Sequence, residues 1–133
     1  MNRPSIVFIG AALLAATLAD AQEPCGTKAK PTACFVDSAL TSLDDCQTAS
    51  LPRNSAFACI AEGEALVEPL YEKAIYASEH NSHTGLLKDF HASWRAAMDG
   101  ILPNDNEPPA AYKARQAAYR NALEAKAERL KVD

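Results

Sequence analysis

Apolar residues return at steps of three and four through most of the chain. Nowhere do they alternate with polar residues over a strand-like stretch. Phe35, Val36, Ala39, Leu40 and Leu43 form the first stripe, behind Pro31 and Thr32, which suit the opening of a helix. This helix is predicted to end between Cys46 and Ala49. Leu51-Pro52 follows, and proline disfavours a helical residue before it. A second stripe holds Phe57, Ile60, Ala61, Leu66, Val67, Leu70, Tyr71 and Ile75, with Asn54 or Ser55 as the expected cap. Gly63 weakens this helix by about 1 kcal/mol against alanine, and Pro69 is expected to kink it. It should fade between Ser78 and His83.

A third helix is predicted from Thr84, with Leu87, Phe90, Trp94, Ala97, Met98 and Ile101 on one face, ended by Gly100 and Pro103. Residues 103–109, PNDNEPP, read as a loop. A last helix from Pro109 to Lys131 shows only a narrow face of Tyr112, Tyr119, Leu123 and Leu130. It should pack on one side and stay wet on the other. The pattern therefore predicts an all-α fold, a small bundle of about four helices. It forms a single domain over 22–133, with a loose lead over 22–31.

The first residues change the picture of where this domain works. Arg3 precedes an apolar or small-residue run from Ile6 to Leu18, and Ala19-Asp20-Ala21 fits a small-x-small cleavage site. Residues 1–21 are expected to be a signal peptide cut after Ala21. The run would reach roughly 20 Å as a helix, short of a bilayer core of about 30 Å. No cysteine stands at the cleavage point, which speaks against a lipid anchor. No later segment is long and apolar enough to span a membrane. A periplasmic or secreted location follows.

The four cysteines, Cys25, Cys34, Cys46 and Cys59, all lie beyond that cleavage site. An even number in an exported chain reads as two disulfides. Three pairings are possible, and the smallest loops favour Cys25–Cys34 with Cys46–Cys59. The second bridge would staple the first two helices across the Leu51-Pro52 break. Its chain-entropy contribution is about 3 kcal/mol. The spacings contain no C-x-x-C pair, so neither a zinc site nor a thioredoxin-type motif is expected.

Charge and candidate chemistry narrow the function. The net charge of −4 argues against nucleic acid, which calls for clustered Lys and Arg. Glu79, His80 and His83 have a spacing able to hold a metal, but the segment reads as a polar interhelix loop. No metal or cofactor is expected. His91 reads as a boundary residue of the third helix. Paired carboxylates occur as Asp44-Asp45, Glu62 with Glu64, and Asp105 with Glu107, on helix ends, faces and loops where acids are ordinary. No G-x-S-x-G is present. The expectation is a protein that is not an enzyme. Trp94 suits a binding hot spot, but its place on the Leu87–Phe90–Ile101 stripe favours the core. Lys113, Arg115, Arg120, Lys126, Arg129 and Lys131 make the last helix basic, either as a solvated face or as a surface for an anionic partner.

Asp45-Cys46-Gln47-Thr48-Ala49 resembles the Asp-Cys-x-x-Ala step of exported bacterial domains of the lysozyme-inhibitor LprI family. Cys59 falls at that family's second cysteine, Leu66 to Tyr71 resembles its Leu/Tyr helix, and Leu86-Leu87 with Phe90 through Trp94 to Asp99 resembles its tryptophan helix. The resemblance covers residues 45–99. It departs where Met98-Asp99 stands for Arg-Asp, where Cys25 and Cys34 are added, where later cysteines are absent, and at Pro69. It implies a small helical exported domain, with lysozyme inhibition described for a member. The leading expectation is a non-catalytic protein-binding module, in its sharpest form an inhibitor of lysozyme-type cell-wall hydrolases. Asp105 and Glu107 are the candidate partner-binding residues for a basic hydrolase. The alternative is an envelope accessory or toxin-immunity protein that binds through its helical surface.

Overall fold

A computed structural model describes Cys25 and residues 30–47, 52–78 and 83–131. Four helices follow in order: α1 (Pro31–Gln47), α2 (Arg53–Ala77), α3 (Thr84–Asp99) and α4 (Pro109–Leu130). No strand occurs among the described residues. Short connections make consecutive helices antiparallel neighbours. α1 packs most extensively on α2, and α3 on α4. α1 also touches α3 and α4, while α2 and α4 do not meet. α1 and α3 are thus the inner pair, with α2 and α4 on their flanks.

The core follows from that arrangement. Phe35 of α1 and Phe90 of α3 meet edge to face, with centroids 5.4 Å apart. Trp94 is completely buried. Its indole N–H donates to the carbonyl of Ala39, 2.8 Å away, so the one polar atom of the side chain is satisfied inside the core. Trp94 is therefore a core residue.

The buried side of α2 is Ala56, Ile60, Gly63, Val67, Leu70 and Ala74. Phe57 and Leu66, expected on the inner stripe, are instead 47% and 37% exposed. Small residues decide this. A Cβ on Gly63 would lie 2.8 Å from Met98 Cε and 3.3 Å from Ser42 Cβ, so glycine there lets α1, α2 and α3 approach closely. Turning Phe57 or Leu66 inward would forfeit that approach. Phe57 lies under the Arg53 guanidinium, 5.5 Å from its centroid, a partner available at the surface.

The expected caps also differ. Pro52, rather than Asn54 or Ser55, occupies the N-cap position of α2. Thr84 bonds backwards instead of capping α3. Its hydroxyl meets Ser78 Oγ at 2.9 Å and donates to the Ser78 carbonyl at 3.1 Å, tying the start of α3 to the end of α2. α2 is continuous through Pro69, which is exposed, so its missing N–H falls on the solvent side.

The cysteines pair as Cys25–Cys34 and Cys46–Cys59, with Cα separations of 5.3 and 5.8 Å. The second bridge joins the last turn of α1 to the second turn of α2. Two disulfides suit an oxidising compartment. Among the described residues, no helix is long and apolar enough to cross a membrane. Residues 1–21, Ala49, Glu79 and His80 lie outside the described residues.

Candidate functional site

The end of the bundle carrying the Cys46–Cys59 bridge is locked by side chains of α4. The chain leaving a helix carries carbonyls without helical partners, and here α4 supplies donors to those that follow α3. Arg115 Nη1 donates to the Gly100 carbonyl at 2.8 Å, and Arg115 Nη2 to that of Leu102 at 3.3 Å. Tyr112 OH donates to the Ile101 carbonyl at 2.7 Å. The buried Gln116 amide donates to Gly100 as well, and accepts from Gln47 Nε2 at 2.9 Å. One chain of hydrogen bonds therefore joins the ends of α1 and α3 to the start of α4. Gly100 has an ordinary right-handed φ of −74°. Glycine is required there by space, because a Cβ would lie 2.5 Å from Tyr119 Cε2.

Glu107 belongs to this lock. Its carboxylate takes a fork from Arg115, at 2.7 and 2.8 Å, and a bond from the Asn104 N–H at 3.0 Å. The Arg115 fork, helped by the Asn104 N–H, lowers its pKa from 4.5 to about 2. Asn106, at φ 60°, makes the tight left-handed turn that brings Glu107 back. The two candidate partner-binding acids thus separate: Glu107 turns inward, whereas Asp105 is exposed.

Asp45 and Asp99 are exposed at the same end, in the last turns of α1 and α3. Neither helix has a basic residue in that turn. Asp45, Asp99 and Asp105 have no ion pair among the described residues. Their neighbour Asp44 differs, receiving the Arg120 guanidinium in a fork at 2.6 and 3.0 Å. Four of the six cations of the last helix are internally paired: Arg115 with Glu107, Arg120 with Asp44 and Glu124, Lys126 with Asp89, and Lys131 with Glu128.

The other residues singled out by the sequence scatter. Cys46 is buried and Cys59 half-buried in the staple, and Leu66 is on the surface. Tyr71 stacks flat on His91, with centroids 3.7 Å apart and planes within 4°. His91 Nε2 reaches both oxygens of Glu68, at 2.9 and 3.1 Å, and Arg95 reaches the same carboxylate at 3.3 Å. Burial, with the Glu68 charge beside it, pushes the Tyr71 hydroxyl pKa up. No local pattern in the chain signals this cluster, whose partners lie 23 and 27 positions apart on different helices. Gln116 was equally hidden, as a polar residue on a helix of mainly small and charged residues. Among the described residues, no three His, Cys, Asp or Glu side chains converge to hold a metal.

No protein-family model, curated protein or solved structure gives a significant match to the chain.

Proposed function

We propose that this chain is an exported, non-catalytic protein-binding module that blocks a basic, lysozyme-type cell-wall hydrolase in the periplasm or outside the cell. One observation carries the reading: Asp45 and Asp99 sit, without a compensating cation, in the last turns of α1 and α3. A negative charge there opposes the helix dipole and costs about 0.3–1 kcal/mol each. A rigid end that retains such charges, with Asp105 exposed beside them, suits the cleft of a positively charged enzyme. Opposite charge speeds the encounter. The resemblance of residues 45–99 to the LprI family, whose motif includes Asp45 and Asp99, points the same way. The alternative, an accessory protein binding an anionic partner through the last helix, has less support, because most of that helix's cations already have internal partners.

The test is a pull-down of the oxidised chain against a panel of lysozymes and periplasmic extract, with muramidase turnover assayed alongside. Binding that slows turnover, weakens with salt, and is lost in the Asp45→Asn, Asp99→Asn, Asp105→Asn triple variant is the expected result. A lack of binding to any muramidase, or a triple variant that inhibits as well as the parent, would remove the proposal.

A further inference from the structure

The opposite end of the bundle is open where the first end is locked. There α1 and α3 begin and α2 and α4 finish, and between them lies a cavity of about 500 Å³. Its floor is aliphatic, made of the buried Val36, Ala127 and Leu130, and the exposed Ala33 and Ala77 stand on its walls. Val36, Ala127 and Leu130 are buried members of the core, so the cavity is floored by the outer layer of that core. Its rim is charged. Lys30 and Lys131 stand on it, and Asp37 is the single acid among the described lining residues. Lys30 has no ion pair among the described residues. Lys131 has only an exposed contact with Glu128, at 3.2 Å on its own helix. Such a surface pair holds its ammonium weakly.

A volume of this size falls within the range of small-molecule sites, about 300–1,000 Å³. The division of chemistry within it is specific. A purely apolar ligand would leave the Lys30 ammonium at the mouth without a counter-charge and would gain nothing from Lys131, whose ammonium meets only the exposed Glu128. A polar anion such as phosphate would leave the aliphatic floor against water. The arrangement fits a ligand with an aliphatic body and one anionic head. Lysine suits the head as a flexible point charge whose methylene stem follows an apolar wall.

We propose that this cavity binds a medium-chain fatty acid, with the acyl chain on the Val36–Ala127–Leu130 floor and the carboxylate between Lys30 and Lys131. This site lies at the end of the bundle away from the proposed hydrolase-binding surface, so either reading can fail without the other.

The experiment is calorimetric titration of the oxidised chain, purified from an exporting host, with dodecanoate and with dodecanol. Saturable one-to-one binding of dodecanoate, weaker for the alcohol, is expected. Lys30→Glu with Lys131→Glu should weaken dodecanoate by about tenfold, the loss of two exposed charge contacts. Ala33→Trp and Ala77→Trp place bulk in the cavity from exposed positions, which spares the fold. They should abolish binding while helicity and Tm hold. An absence of saturable binding, unchanged affinity in the tryptophan variants, or equal affinity for the alcohol would overturn the proposal. Binding seen only after removal of residues 132–133 would assign the cavity to the chain's own end and overturn it equally.

Discussion

The locked end and the open end of this bundle are made by the same four helices, yet they are finished by opposite means. At the locked end the bridge Cys46–Cys59 ties α1 to α2, and the bonds of Gln47, Arg115 and Gln116 tie the ends of α1 and α3 to α4. Three acids are left facing water there. At the open end the same helices leave an aliphatic cavity with lysines at its mouth. The lesson is that polar groups which satisfy buried carbonyls set rigidity, whereas charges left unpaired at a helix end or cavity rim mark the surface offered to others. A small domain in which both occur has its stability and its recognition in different residues.

Substitutions can break or sharpen this contrast. The largest effect should come from Trp94→Ala, which empties the core shared by both ends and leaves the Ala39 carbonyl without its second partner. A loss of about 3–5 kcal/mol is expected, measured by urea unfolding, with both ends losing hydrogen-exchange protection together. Protection lost at only one end would show that the ends are separate cooperative units.

Cys46→Ser with Cys59→Ser removes the staple and should cost about 3 kcal/mol. The loss should fall mainly on the α1–α2 turn, and exchange at the α3–α4 loop should change less.

Arg115→Met tests the hydrogen-bonded half of the lock. It strips donors from Gly100, Leu102 and Glu107, and about 1–3 kcal/mol should be lost. Fatty-acid affinity at the other end should stay as it was.

A smaller effect is pH-dependent. The carboxyl of Glu107 titrates at about 2 in the folded chain, below its ordinary 4.5. A lowered pKa means that its stabilisation is complete above the unfolded value and is lost as the pH falls through the folded one. The parent should therefore lose stability between about pH 4.5 and 2, and Glu107→Gln should flatten that limb of the profile. A variant with the parent's full acid slope would assign the slope to other groups.

The smallest expected change has the opposite sign. Asp99→Asn relieves a negative charge at the C-terminal end of α3 and should raise stability by about 0.3–1 kcal/mol while weakening hydrolase binding. A variant that is less stable would mean that Asp99 has a structural role.

Much of the fold was legible because its causes are local. The apolar steps of three and four placed α1 and α3 almost to the residue, and Leu51-Pro52 and PNDNEPP marked two of the turns. The cysteine spacing favoured the pairs that form, because each bridge closes a short loop between neighbouring elements. The inner face of α2 was less legible. Large side chains suggested Phe57 and Leu66, but the buried face is the one on which Ala56 and Gly63 let the helices come together. Periodicity finds faces of a helix, and size alone does not say which of two faces its neighbours will select.

The candidate surfaces divide in the same way. Asp45, Asp99 and Asp105 were visible as acids, but not as charges left over after their neighbours Asp44 and Glu107 had been taken by Arg120 and Arg115. That depends on which side chains of α4 reach which ends of α1 and α3. The Glu68–His91–Tyr71 cluster and the Lys30–Lys131 rim join residues far apart in sequence, so no local pattern foreshadows them. By itself the sequence determined four helices, their turns and the covalent staple, because propensity, proline geometry and short-loop closure act over a few residues. The tertiary structure alone decided which charges are paired, which glycine is a contact, and where the bundle stays open. Those outcomes depend on helix approach and on side chains reaching between helices, neither of which is set by near neighbours in the chain.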